Sequence, residues 1–177
     1  MDDPSGAITQ LAGERSLPRA CMGYFAATLG WVLFFNIGDG ISPVVLLLKL
    51  LVVFIAELTA GYFIASLCGL FLDFKHIKSS PAGLFVLIGS AGFIKGLLVA
   101  FALISAAVPG AGLGLLAPFA LLLVLGLQLG YLTRSLMRLC GLNAGKALTA
   151  WLFAFVPVLV AVGLLAVFFV WGIALLF

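Results

Sequence analysis

The chain has 177 residues, 65% hydrophobic and 8% charged, whereas soluble domains average about 45–50% apolar and about 25% charged residues. A chain this apolar cannot cover itself with polar surface, so lipid is its solvent, and at roughly 20 residues per span five spans leave no room for a separate soluble domain. Its net charge of +3 is spread over several short segments without a basic run that could track a phosphate backbone, which excludes nucleic-acid binding.

Residues 1–19 form a short polar lead, in which Ile8, Leu11, Arg15 and Arg19 suit a turn or two of interfacial helix. No Ala-x-Ala-like cleavage site follows the first apolar run, so that run is expected to be a retained signal anchor. The membrane domain covers 20–177, with spans at about 21–37, 43–72, 82–108, 115–139 and 145–176. The first span ends in the turn-rich cluster 36–40. Ser42–Pro43 reads as an N-cap followed by the favoured first-turn proline, opening an apolar run that reaches Phe74. About thirty residues of helix is roughly 45 Å, longer than a hydrocarbon core of about 30 Å, so this span must tilt, bend or project. Ser80–Pro81 repeats the cap signal before the third span. Pro109, Gly110, Gly112 and Gly114 make the next joint, Gly141–Leu142–Asn143 breaks the fourth span, Asn143 caps the fifth, and Pro157 predicts a kink within it.

The basic residues orient these spans. Arg15 and Arg19 precede the first, Lys75 and Lys78 lie in the second joint, and Arg134, Arg138 and Lys146 lie in or beside the fourth. The first and third joints and the C-terminal end carry no Lys or Arg. Cytoplasmic loops attract positive charge, so the expected fold is an all-α, polytopic bundle of five transmembrane helices with the N-terminus cytoplasmic and the C-terminus outside. In that topology Cys21, Cys68 and Cys140 lie near the reducing side, where disulfides are not expected. His76 is in a nearby loop, but no CxxC or HxxxH spacing marks a metal site. No cofactor is expected.

Lys49, Glu57 and Lys95 fall inside spans, where a charge at mid-bilayer costs about 2.5–3.5 kcal/mol on insertion scales. Lys49 is roughly 9 Å from its helix end and can snorkel to the headgroups. Glu57 and Lys95 have no such exit. At about 21 Å and about 20 Å from the outer ends of consecutive antiparallel helices, they are matched in depth and predict an ion pair. Thr59, Ser90 and Gln128 are the polar residues available to extend it into a relay. Gly92 and Gly96 bracket Lys95 in a small-xxx-small pattern that admits a neighbouring helix. Gly126 and Gly130 repeat the pattern on the fourth span, where internal packing is expected ahead of a dimer face.

The stretch Leu129–Gly130–Tyr131, then Leu139, then Gly141–Leu142–Asn143–Ala144–Gly145–Lys146–Ala147 resembles the end of the Yip (Ypt/Rab-interacting protein) family. There an aromatic residue ends the fourth span, a short basic joint and a Gly/Ser-containing turn follow, and Lys-Ala opens the last span. The resemblance covers about 20–177 in layout and about 129–150 in residue detail. It implies five spans with the N-terminus inside. Eukaryotic members carry an Asp-Leu-Tyr-Gly-Pro motif before the first span. This chain has Ser16–Leu17–Pro18–Arg19 instead, so Rab-type GTPase binding does not carry over, and the short lead looks like the prokaryotic branch.

These features describe a non-enzymatic membrane scaffold or accessory subunit, concerned with membrane organisation or trafficking and placed in a bacterial cytoplasmic membrane. Its expected partners are membrane lipids and another integral membrane protein or a second copy. The joints carrying Lys75, His76, Lys78, Arg134, Arg138 and Lys146 are its surface for a soluble partner or anionic lipid. The alternative is a small transporter or channel using Glu57 and Lys95. An intramembrane enzyme would need a dyad or metal cluster, and the sequence offers one histidine and no paired acids.

Overall fold

A computed structural model describes residues 17–36, 42–107 and 113–174. The polar lead with Arg15, the joint around Asp39, residues 108–112 and the last three residues lie outside the described residues. The described chain forms helices α1 (Leu17–Asn36), α2 (Pro43–Phe74), α3 (Pro81–Lys95), α4 (Leu97–Ala107), α5 (Leu113–Cys140) and α6 (Ala144–Ala174).

Their ends follow from local chemistry. Ser42 and Ser80 each accept the backbone N–H three residues on, from Val45 and Gly83 at 3.4 Å. Asn143 does the same for Lys146 at 2.9 Å, and prolines occupy the first turns of α2 and α3. At the end of α2, Ile77 N–H reaches back to the Leu72 carbonyl at 3.0 Å, with His76 in the left-handed region at φ 56°. Leu142 N–H reaches Met137 at 3.1 Å in the same way, over Gly141 at φ 64°. These closures turn the chain sharply and bring the basic joints to one end.

Helix α2 runs unbroken for 32 residues, about 48 Å. The expected third span is present as one apolar stretch, Pro81–Ile104, with a one-residue irregularity at Gly96 that separates α3 from α4. The ladder stops at Lys95, and Gly96 donates to the Phe93 carbonyl at 3.0 Å in a tighter turn before α4 begins. Helix α6 continues through Pro157. Four stretches are long and apolar enough to cross a membrane: Pro43–Phe74, Pro81–Ile104, Ala117–Cys140 and Ala144–Leu165. Helix α1 is not among them. Arg19, Tyr24, Thr28, Asn36 and its glycines lower its apolarity, and it turns Gly23, Tyr24, Thr28 and Gly30 into the bundle rather than outward.

Two cores divide the bundle lengthwise. One joins Ala20 and Tyr24 of α1, Cys68 and Leu72 of α2, Leu84 and Leu87 of α3, Leu136 of α5 and Trp151 of α6. The start of α1, the end of α2, the start of α3, the end of α5 and the start of α6 therefore share one end, as antiparallel neighbours must. The second core lies toward the other end and joins Phe34, Leu98, Ala102, Ala120 and Val124.

Helix α1 meets α3 backbone to backbone. A Cβ on Gly23 would overlap the Gly89 carbonyl, one on Gly92 the Gly23 carbonyl, and one on Gly30 the Lys95 carbonyl. Gly92 thus admits a neighbouring helix, but that helix is α1 and not α2. Gly96 has a different role, capping α3. The expectation of internal packing at Gly126 and Gly130 fails. Both are exposed, and a Cβ on either would meet nothing within 4 Å, because α5 turns Val124 and Gln128 inward instead.

These contacts make two substitutions of one type diverge. Gly23→Ala is expected to destabilise by about 2 kcal/mol, through overpacking against backbone that cannot move aside. Gly126→Ala is expected to stabilise by about 0.5 kcal/mol, through helix propensity alone. Thermal unfolding in detergent, followed by tryptophan fluorescence, checks both.

Candidate functional site

The ion pair forms. Glu57 is near the middle of α2, and Lys95 is the last residue of α3. The Lys95 ammonium donates to both Glu57 carboxylate oxygens, at 2.7 and 2.9 Å. Their side chains retain 13% and 17% exposure, so neither charge is sealed away. The same ammonium stands 5.6 Å from the centre of the Trp31 ring, a cation–π distance. Lys95 therefore ties three helices together: its own, α2 through Glu57 and α1 through Trp31.

Lys49 is exposed, and its ammonium donates to the side-chain oxygen of Asn36 at the last turn of α1. Neighbouring hydroxyls are occupied locally. Thr59 and Ser90 donate to the carbonyls of Ile55 and Val86, four residues back, at 2.8 and 2.9 Å. They are spent on their own helices and do not extend the ion pair.

The pair borders a half-open cavity of about 770 Å³ lined by α1, α2, α3, α5 and α6. Asn36, Lys49, Glu57, Lys95 and Gln128 supply its polar edge, and Val53, Leu125, Phe155, Val158 and Leu159 are among its apolar walls. Ala56, Leu159 and Val162 are wall residues that are also exposed, so the cavity communicates with the outer surface between α2 and α6. Ligand sites have this form: roughly 300–1,000 Å³, mainly apolar, with a few convergent polar groups. Pro157 falls within the segment of α6 that borders it, and the α3–α4 break lies directly beside Lys95.

Tyr24 closes the cavity's neighbourhood toward the first core. Its ring lies over Gly61 and packs 4.9 Å from Phe85, while its hydroxyl donates to the Phe85 carbonyl at 3.1 Å. The basic residues of the joints sit elsewhere. Lys75, His76, Lys78, Arg134, Arg138 and Lys146 are all exposed at the end where α2 closes and α6 begins.

Sequence reasoning located Glu57, Lys95 and Lys49 but missed Trp31, Asn36 and the glycines of α1. The spacing Gly23, Ala27, Gly30 was the available signal for that face, since small residues at helical intervals mark close helix contacts. Trp31 and Asn36 carried no signal of their own. No protein-family model matches the chain, and no curated protein or solved structure matches it.

A double-mutant cycle measures the pair. Lys95→Met leaves Glu57 unpaired beside apolar walls and is expected to destabilise by about 3 kcal/mol. Adding Glu57→Gln removes the orphaned charge, so the double variant should recover about 2 kcal/mol of that loss. Simple additivity of the single variants in thermal unfolding would show that the contact contributes no stability.

Proposed function

We propose that this protein is a five-span membrane carrier, with its N-terminus cytoplasmic and its C-terminus outside, that binds a small amphipathic molecule in the cavity beside Glu57 and Lys95. The observation that carries this reading is the placement of the pair. A purely structural pair would be packed shut between helices, whereas this one edges a cavity of about 770 Å³ that reaches the surface. The tightened turn at Gly96 lies directly beside Lys95 and supports it further, since local irregularities of this kind in helices frequently mark functional hinges. Pro157 lies in the opposite wall, within the continuous helix α6.

Five spans rather than four follow from treating α1 as a span lined by protein. Its 20 residues make about 30 Å of helix, enough for the hydrocarbon core, and its polar groups face other helices. The orientation rests on the basic residues gathered at the end where α2 closes and α6 begins. The resemblance of 129–150 to the Yip family fits this layout, and no GTPase binding is proposed from it. We propose no catalysis, since the sole histidine, His76, lies in the joint beyond α2 and away from the cavity.

A scaffold or accessory-subunit role is the second reading. One observation favours it: only 6% of the most apolar window of α2 is buried, which leaves a long face open to another membrane protein. Extraction in mild detergent followed by mass spectrometry separates the two, since a scaffold would bring a membrane partner at fixed stoichiometry.

The carrier reading is tested with a dansyl-labelled fatty acid as probe, using energy transfer from tryptophan. Saturable transfer is expected for the native chain. Ala60→Phe, which fills the cavity, should abolish it without unfolding the protein, and Trp31→Phe should diminish it. Undiminished transfer in a folded Ala60→Phe variant would overturn the reading.

A further inference from the structure

A second cavity, of about 620 Å³, lies between the end of α2 and the start of α6. Two joints far apart in sequence each contribute a lysine to it: Lys75, the residue that caps α2, and Lys146, in the first turn of α6. No acidic residue borders it. Among the described residues neither ammonium forms an ion pair or a side-chain hydrogen bond. Orientation by positive charge accounts for lysines in these joints, but not for two of them lining one cavity.

The neutral side-chain oxygens there are engaged within the chain. Asn143 caps Lys146 N–H, and Thr149 donates to the Gly145 carbonyl at 2.8 Å. The two ammonium groups and the Asn143 amide NH2 are what remains for a ligand, all of them donors, and they call for an anion. The positive end of α6 and the negative end of α2 both border this space, so the two helix dipoles offset one another there and the lysines carry the attraction. The rest of the wall is apolar: Phe71, Leu72, Ile77 and Leu142. Behind Phe71 the wall continues along the outside of the bundle through Phe153, 5.2 Å away.

We propose that this cavity binds an anionic phospholipid, with the lipid phosphate between Lys75 and Lys146 and an acyl chain against Phe71 and Ile77. The shared chemistry is a phosphate group, and the apolar half of the wall selects the lipid over free phosphate. A headgroup with its own ammonium, such as choline, would place a third cation beside the two lysines and is disfavoured. The site is independent of the ligand in the central cavity.

The test uses native mass spectrometry of the full chain in detergent, supplied with phosphatidylglycerol or phosphatidylcholine of identical acyl chains. Lys75→Gln/Lys146→Gln is compared with Arg19→Glu, at the start of α1, which lowers the net charge by the same two units at the same end but outside the cavity. The native chain should retain phosphatidylglycerol over phosphatidylcholine. The double variant should weaken that retention by about tenfold or more, given the attraction each basic residue exerts on anionic lipid, while Arg19→Glu leaves it near native. Thermal unfolding without added lipid shows that both variants fold. Equal loss in both variants, or no preference between the lipids, would overturn the proposal. Displacement of the lipid by millimolar inorganic phosphate would also overturn it, by reassigning the cavity to the free anion.

Discussion

Helices α1 and α3 approach so closely that their backbones touch, and the geometry of the charged centre depends on that approach. In lipid, apolar side chains gain nothing by leaving one hydrocarbon environment for another, so helices associate through close packing and polar contacts. Gly23, Gly30, Gly89 and Gly92 supply the packing, because any side chain at these positions would overlap the opposing backbone. With Gly30 seated over the Lys95 carbonyl, the next residue, Trp31, is delivered to the Lys95 ammonium. On the same flank of α1, two turns earlier, the Tyr24 ring lies over Gly61 of α2, one turn from Glu57. The ion pair and the cation–π contact are thus consequences of how α1 is held.

The same arrangement accounts for the uneven packing of the bundle. At the end with the basic joints, five helices contribute to one core around Trp151, Tyr24 and Leu72. Toward the other end the core shrinks to contributions from α1, α4 and α5, and α2 and α6 are left with largely exposed faces. The cavity occupies the region where the first core gives out. Its charges lie where the helical ladder breaks at Gly96, which gives one wall a joint that a continuous helix would lack. The second cavity marks the opposite boundary, where α2 and α6 meet at the polar ends of the bundle.

Much of this architecture was legible in the residues. The three N-caps at Ser42, Ser80 and Asn143 are local side-chain-to-backbone contacts, set by residues three apart. The depth match of Glu57 and Lys95 follows from counting along two antiparallel helices. The break after Lys95 was not legible, because Gly96 sits in a run of helix formers and glycine is common in membrane helices. The two small-xxx-small pairs looked alike, yet Gly92 is buried against α1 and Gly126 faces outward. Spacing places small residues on one face of a helix but does not say which way that face turns.

The sequence alone determined the helical class, the lipid environment, the helix ends and the side on which the basic residues collect, since each depends on composition or on neighbours within a few residues. The tertiary structure alone decided which helix covers Lys95, how Trp31 and Asn36 join the charged centre, and where cavities remain. Those outcomes depend on the rotation of each helix about its own axis, which is settled only when several helices pack together. In a chain whose outward and inward faces are both apolar, no hydrophobic periodicity records that rotation in advance.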